Sequence, residues 1–164
     1  MRRSAGALGV LLALFLWAMP GIAAGPPRIA VFDFELMNTS PAPSTAEELA
    51  RTRRLGEQLR AALQNSGKYQ VVDIGPVRAE AEKNGSLRNC NGCELPLARR
   101  VGAALVAYGW VQKVSNLILN INLVIEDVAA EKTVKAGSVD IRGNTDESWS
   151  RGLKYLLEEH ILQQ

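Results

Sequence analysis

Apolar and polar positions change period along the chain, and each change marks an element. Leu117, Leu119, Ile121, Leu123 and Ile125 alternate with polar residues that include Asn120, Asn122 and Glu126. A period of two predicts a strand with one dry and one wet face. Just before it, Ala103 to Val111 is an almost unbroken apolar run behind Gly102, which predicts a strand buried on both faces. Arg28 to Leu36 reads as an earlier strand, with Ala30, Phe32, Phe34 and Leu36 on one face and Ile29, Val31, Asp33 and Glu35 on the other.

Between these strands the period lengthens to that of a helix. Leu49, Leu55, Leu59 and Leu63 form an apolar stripe behind Thr45 and Glu48, which stand at capping-box spacing, and Asn65-Ser66-Gly67 ends the helix. Arg51, Arg53, Arg54, Glu57 and Arg60 read as its solvated side. Tyr69 to Asp73 is a short strand, so this strand, helix and strand form a parallel crossover. Pro76 opens a second helix that Asn84-Gly85 closes, Ser86 to Glu94 is a loop, and Pro96 to Val101 lies in a short helix. Thr133 to Arg142 adds a third meander strand. Gly143-Asn144-Thr145-Asp146 then caps a last helix with Trp149, Leu153, Leu156, Leu157 and Ile161 on its apolar face. The order β-α-β-α-α-β-β-β-α predicts a single-domain α/β (α+β) fold. Its mixed five-stranded sheet carries packed helices, with the first strand central, the second beside it and the meander extending the other edge.

The N-terminus follows neither period. Arg2 and Arg3 precede an apolar stretch from Ala5 to Met19, and Pro20-Gly21-Ile22-Ala23-Ala24 supplies a break and small residues. This is the pattern of an export signal, cut after Ala24 and too short for a span of about 20 residues. The expectation is a signal peptide over 1–24 and one periplasmic domain over 25–164, without a membrane span after cleavage. No cysteine lies near the cut, so lipid attachment is not expected. Cleavage removes two arginines and no acid, leaving 17 of the 19 basic residues against 17 acidic ones. A nearly neutral chain has no basic excess to recruit nucleic acid.

Chemistry can be sought in few places. Cys90-Asn91-Gly92-Cys93 is the sharpest local signal. In an oxidising compartment it forms a structural disulfide or a redox-active dithiol, since Cys93 lies at a helix N-terminus that lowers a thiol pKa. Haem attachment requires histidine where Glu94 stands, and C-x-x-C alone is half a zinc site, with the only histidine, His160, far away. No metal and no cofactor are therefore assigned. Asp33, Glu35 and Asp73 lie near the carboxyl ends of adjacent parallel strands, where open sheets bind ligands. They either hold a cation or polar ligand with the Asn38 to Ser44 loop, or face water and pair with Arg28 and Lys68. Asn120, Asn122, Asp140 and Arg142 form one polar face of the meander, either solvated or a docking surface. Trp110 and Trp149 read as core anchors unless left exposed. No phosphate-binding glycine loop and no G-x-S-x-G is present, and no catalytic residue is assigned.

Some segments resemble known families. R-I-A-V-F-D-F at 28–34, L-G-E-Q-L-R-A-A-L at 55–63 with Y-Q-V-V-D at 69–73, and A-R-R-V-G-A-A-L-V-A-Y-G-W-V at 98–111 resemble the α/β domain of CsgG-like curli-secretion proteins and the amino-terminal domain of TolB. N-C-N-G-C-E at 89–94 and D-I-R-G-N-T-D-E-S-W at 140–149 look like a family of bacterial periplasmic proteins known as a domain of unknown function. The resemblance implies an envelope accessory or binding module with no established catalysis. It also implies a periplasmic or envelope protein partner and a helper role beside quinoprotein alcohol-oxidation systems. The lipidation cysteine and pore-building segments of CsgG are missing, so a channel is not implied. The combined expectation is a non-enzymatic protein that binds a protein partner or small ligand through the sheet edge and the Ser86 to Glu94 loop. The alternative is a thiol-disulfide redox protein using Cys90 and Cys93.

Overall fold

In the computed structural model, which describes residues 25–163, the first expected strand is two strands. The predicted signal peptide lies outside the described residues. β1 (Arg28–Val31) and β2 (Glu35–Asn38) both run parallel to β4 (Leu105–Lys113). Val31 faces Ala107 and Glu35 faces Trp110, so Phe32, Asp33 and Phe34 occupy the length that Tyr108 and Gly109 cover. The extra residue reverses the alternation, as a one-residue slip must. Phe34 therefore joins Ile29 and Val31 in one core layer, while Ala30 and Phe32 belong to the other. The sheet has six strands for this reason, not five.

The remaining elements follow the expected order. Thr45 caps α1 (Ala46–Asn65): the Glu48 N–H donates to Thr45 Oγ1 at 3.2 Å, and the Thr45 N–H donates to Glu48 Oε2 at 2.9 Å. β3 (Gln70–Val72) returns parallel to β1. α2 (Gly75–Asn84) and α3 (Glu94–Arg100) flank a 3₁₀ turn at Leu87–Asn89. β4, β5 (Ile118–Asp127) and β6 (Lys132–Arg142) form the antiparallel meander, and the strand order is β3-β1-β4-β5-β6 with β2 beside β4. α4 (Asp146–Leu156) ends in a π turn, Leu157–Ile161.

Helices cover the sheet unequally. α1 and α4 close one face over Leu119, Ile121, Leu123 and Ile125, with Leu55, Leu59, Leu63, Trp149 and Leu153 beneath them. On the other face α2 and α3 cover the β3–β1 side through Val77, Leu95, Leu97 and Ala98 against Ala30, Phe32 and Val106. Among the described residues no helix lies above the far half of that face. β4 is therefore dry on both faces only near Val106 and Ala107, while Tyr108, Trp110 and Gln112 are half-buried. Two expectations for α1 also change. Leu49 lies outside the stripe at 49% exposure, and Arg51, expected in solvent, is buried.

Gly109 marks the tightest crossing of chain segments in the sheet. A Cβ there would lie 2.6 Å from the Asn122 carbonyl oxygen and would overlap the Phe34 ring. Neither a paired strand nor a buried ring can withdraw cheaply in a close-packed core. Gly109→Ala is expected to cost about 1–3 kcal/mol of stability, read as a lower midpoint in urea denaturation at unchanged slope.

Candidate functional site

The strand-end acids are internally paired. Asp33 accepts hydrogen bonds from Arg60 and Arg78, each at 2.8 Å, so it joins α1 to α2. Glu35 accepts from the Ser86 hydroxyl and the Leu87 N–H, both at 2.6 Å, and fixes the 3₁₀ turn. Asp73 accepts from the Gly75 N–H at 2.8 Å and starts α2. Arg28 and Lys68 instead donate to the carbonyls of Val101 and Leu162. Asp33 and Glu35 line one cleft of about 340 Å³ with Phe34, Arg53 and Arg78, and Asp73 is not part of its wall.

The meander residues come together on the uncovered sheet face. Asn120 sits opposite Asp140 and Gln112, and Asn122 sits opposite Trp110 and Ser138. The Asn122 amide donates to Asn120 Oδ1 at 2.5 Å, and the Asn120 amide donates to Ser138 Oγ at 2.9 Å and Asp140 Oδ1 at 2.8 Å. This ladder fixes the orientation of a row of amides. Arg142 lies opposite Ile118 at its end. Sequence reasoning named Trp110 as a core anchor unless exposed, and it missed Gln112, Met37 and Arg88. In register, Met37 pairs with Gln112, and the Arg88 guanidinium sits 5.5 Å above the Trp110 ring. The available signal was the period of two in Tyr108, Trp110 and Gln112, hidden inside an apolar run.

The cysteines form the Cys90–Cys93 disulfide. Asn91 and Gly92 between them both have positive φ, 57° and 95°, which asparagine and glycine tolerate best. Glu94 begins α3 and is buried at 3% exposure. Its Oε2 lies 3.4 Å from Cys90 Sγ, which also accepts the Cys93 N–H at 3.2 Å. Burial pushes the Glu94 carboxyl above the usual carboxylate range, and the neighbouring, hydrogen-bonded Glu126 pushes it further. The Tyr108 hydroxyl donates to Glu126 Oε1 at 3.0 Å, and burial followed by that carboxylate raises the phenol. The adjoining cleft, of about 390 Å³, is also lined by Arg88, Arg99 and Glu131. Cys90, Cys93 and Glu94 hold their potential ligand atoms within 4.8 Å of one another, but the disulfide occupies both sulfurs.

A buried polar lock holds the opposite end of β4. The Lys113 ammonium donates to Glu48 Oε1 at 2.6 Å, with both residues at 2–3% exposure. The Asn144 amide donates to the same oxygen at 2.5 Å. Asn144 Oδ1 accepts from Arg51 at 2.9 Å and from the Trp149 indole at 3.1 Å. Arg51 also pairs with Asp146 at 2.5 Å and lies 5.3 Å above the Trp149 ring. Asn144 and Asp146 of G-N-T-D-E-S-W thus tie the start of α4 to α1.

Comparisons with known proteins agree with this architecture. The family model DUF3280, described as "Protein of unknown function (DUF2380)", matches residues 27–161. No curated protein matches the chain. Among solved structures, the chain is similar to the C-terminal domain of LpoB from Salmonella enterica at 20% identity and TM-score 0.51, over 74% of this chain and 87% of that one. Lipoprotein GNA1162 from Neisseria meningitidis is similar at 21% identity and TM-score 0.52, over 74% and 84%. The hypothetical protein CT253 from Chlamydia trachomatis is similar at 13% identity and TM-score 0.51, over 83% and 93%. At these identities the likeness is one of fold. Among the described residues no helix is long and apolar enough to cross a membrane.

The lock carries a pH signature. Burial raises the Glu48 carboxyl, but the Lys113 ammonium, the Thr45 N–H and the Asn144 amide together outweigh it and bring it below its ordinary value. Arg51 and then Arg54 do the same for Asp146. A carboxyl lowered in the folded state contributes stability above its unfolded value, about 4, and loses it as pH falls through the folded one. Urea midpoints are expected to fall between pH 5 and 3, and less steeply in Glu48→Gln; a wild-type midpoint unchanged over that interval would contradict the assignment.

Proposed function

We propose a function for this chain, which belongs to the DUF3280 family: it is a periplasmic accessory protein that binds another envelope protein on the open face of its sheet. The observation that carries the reading is Trp110. It is half-buried, faces no helix among the described residues, and is flanked by the Arg88 guanidinium and the oriented amides of Asn120 and Asn122. Tryptophan and arginine beside fixed polar groups are the residue types that dominate protein interfaces. The face runs from the Ser86 to Glu94 loop to β6, the edge strand. An extended segment of the partner sets an apolar side chain on Trp110 and Met37 and hydrogen-bonds the amide ladder. Asp140 and Arg142, both exposed, supply charge at its rim.

The compartment rests on the export signal read over residues 1–24, with cleavage after Ala24 and no lipid on the mature chain. The fold shared with a lipoprotein and with the LpoB C-terminal domain supports an envelope setting. Asp33, Glu35 and Asp73 act here as positioning residues, because internal donors already satisfy them. The finer reading, a helper of a periplasmic quinoprotein system for alcohol oxidation, rests on the resemblance of two segments and names the first partner class to test.

A photo-crosslinking residue placed at Gln112 or Asn122 in cells is expected to trap one envelope protein. The same residue at Glu57 or Lys154, exposed on the helical side, is expected to trap none. Trp110→Ala should lower the Gln112 crosslink about tenfold, the loss expected of an aromatic anchor. Crosslinks from the helical side alone, or equal yields from both sides, would overturn the proposal.

A further inference from the structure

The geometry around Cys90 goes beyond what a structural clip requires. A clip at the surface needs no acid beside it, yet Glu94 is almost fully buried with its carboxyl 3.4 Å from Cys90 Sγ. The same sulfur accepts the Cys93 N–H at 3.2 Å, so one of the two sulfurs sits in a ready hydrogen-bonding cradle. Asn91 and Gly92, the two residues between the cysteines, line a cleft with Arg88 and Arg99, and both cysteines are only half-buried, which leaves Cys93, outside that cradle, as the sulfur open to attack.

We propose that Cys90–Cys93 is a thiol-exchange site for a dithiol-bearing protein, with Cys93 the sulfur attacked, Cys90 the leaving sulfur and Glu94 its proton donor. A thiolate of the partner attacks Cys93 Sγ. A bond forms between those sulfurs as the Cys90–Cys93 bond breaks, and its electron pair leaves on Cys90. The Glu94 carboxyl gives its proton to Cys90 Sγ and becomes a carboxylate. The partner's second thiolate then attacks its own sulfur in the mixed disulfide, releasing Cys93, which takes a proton from water. The partner loses two electrons and two protons and becomes a disulfide. Cys90 and Cys93 gain both, and Glu94 recovers its proton from solvent. With an oxidised partner the same steps run in reverse.

The surroundings of Glu94 favour its protonated form. Glu126 from β5 faces it as a like charge and accepts from Tyr108 of β4. Glu131 lies across the cleft and pairs with Arg99, while Arg88 approaches from the 3₁₀ turn. Glu35 lies further out, near enough to act on Tyr108. Burial and Glu126 both favour the neutral acid, the form that can donate a proton. The exchange chemistry does not use Trp110 or the amide ladder, so a failed crosslink at Gln112 or Asn122 leaves it untouched.

The test is the rate at which dithiothreitol reduces the disulfide of the exported protein between pH 5 and 9, divided by the dithiothreitol thiolate concentration. The normalised rate of the wild type is expected to fall at least tenfold as Glu94 ionises. Glu94→Gln, which has no proton to lose, gives a low and flat profile. Glu126→Gln removes the like charge and moves the wild-type midpoint to lower pH, and it decides the matter if Glu94→Gln does not fold. A flat wild-type profile, a Glu94→Gln profile superimposable on the wild type, or an unmoved midpoint in Glu126→Gln would each overturn the proposal.

Discussion

A lysine ammonium removed from water must meet a carboxylate or lose its charge, and Lys113 at the end of β4 meets Glu48. That demand fixes where α1 begins. Glu48 can serve Lys113 only if the first turn of α1 lies over the end of the strand, and the capping box with Thr45 holds that turn in place. The carboxylate then recruits Asn144, and Asn144 recruits Arg51 and the Trp149 indole. Trp149 is fully buried in the core between α4 and the sheet. One desolvated ion pair thus sets the relative position of β4, α1 and α4. Breaking it by removal of one partner leaves an uncompensated buried charge, a loss of about 3–5 kcal/mol in comparable cases.

The consequence for function is an asymmetry. With α1 and α4 committed to one face and α2 and α3 to the β3–β1 side of the other, the outer meander keeps one face free. A solvated antiparallel face is ordinary, but this one carries an aromatic ring, a stacked guanidinium and a self-ordered amide ladder. Fixed donors and acceptors lose less conformational freedom on docking than mobile ones. The disulfide cleft adjoins the same face through Arg88, which contributes both to the cleft and to the Trp110 stack.

Much of this architecture is written in local periodicity. The alternation of β5, the spacing of Thr45 and Glu48 and the apolar face of α4 each depend on neighbours a few residues away, so they read directly. The split of the first strand does not, because the extra residue at Phe32 to Phe34 is defined only by the register against β4. Arg51 looks like any helix-surface arginine until Asp146, far along the chain, is brought to it. Asp33 and Asp73 follow the ends of β1 and β3 while Glu35 opens β2, and Arg60 and Arg78, which pair with Asp33, come from helices whose rotation the sequence leaves open. In the sequence Glu94 shows itself only as the end of the cysteine loop and as the residue where haem attachment needs histidine. Its burial against Glu126 and Cys90 emerges from the packing of α3 on the sheet.

The measurement that tests the central claim most directly is a double-mutant cycle on the buried pair, using Glu48→Gln, Lys113→Met and the combined variant in urea denaturation at pH 7. Glutamine preserves the capping geometry and methionine preserves the length of the side chain, so the cycle isolates the charges. If the pair organises this end of the molecule, each single variant is strongly destabilised and the double variant is more stable than Lys113→Met alone. Costs that simply add would contradict the account, because they would mean that neither charge depends on the other for its burial.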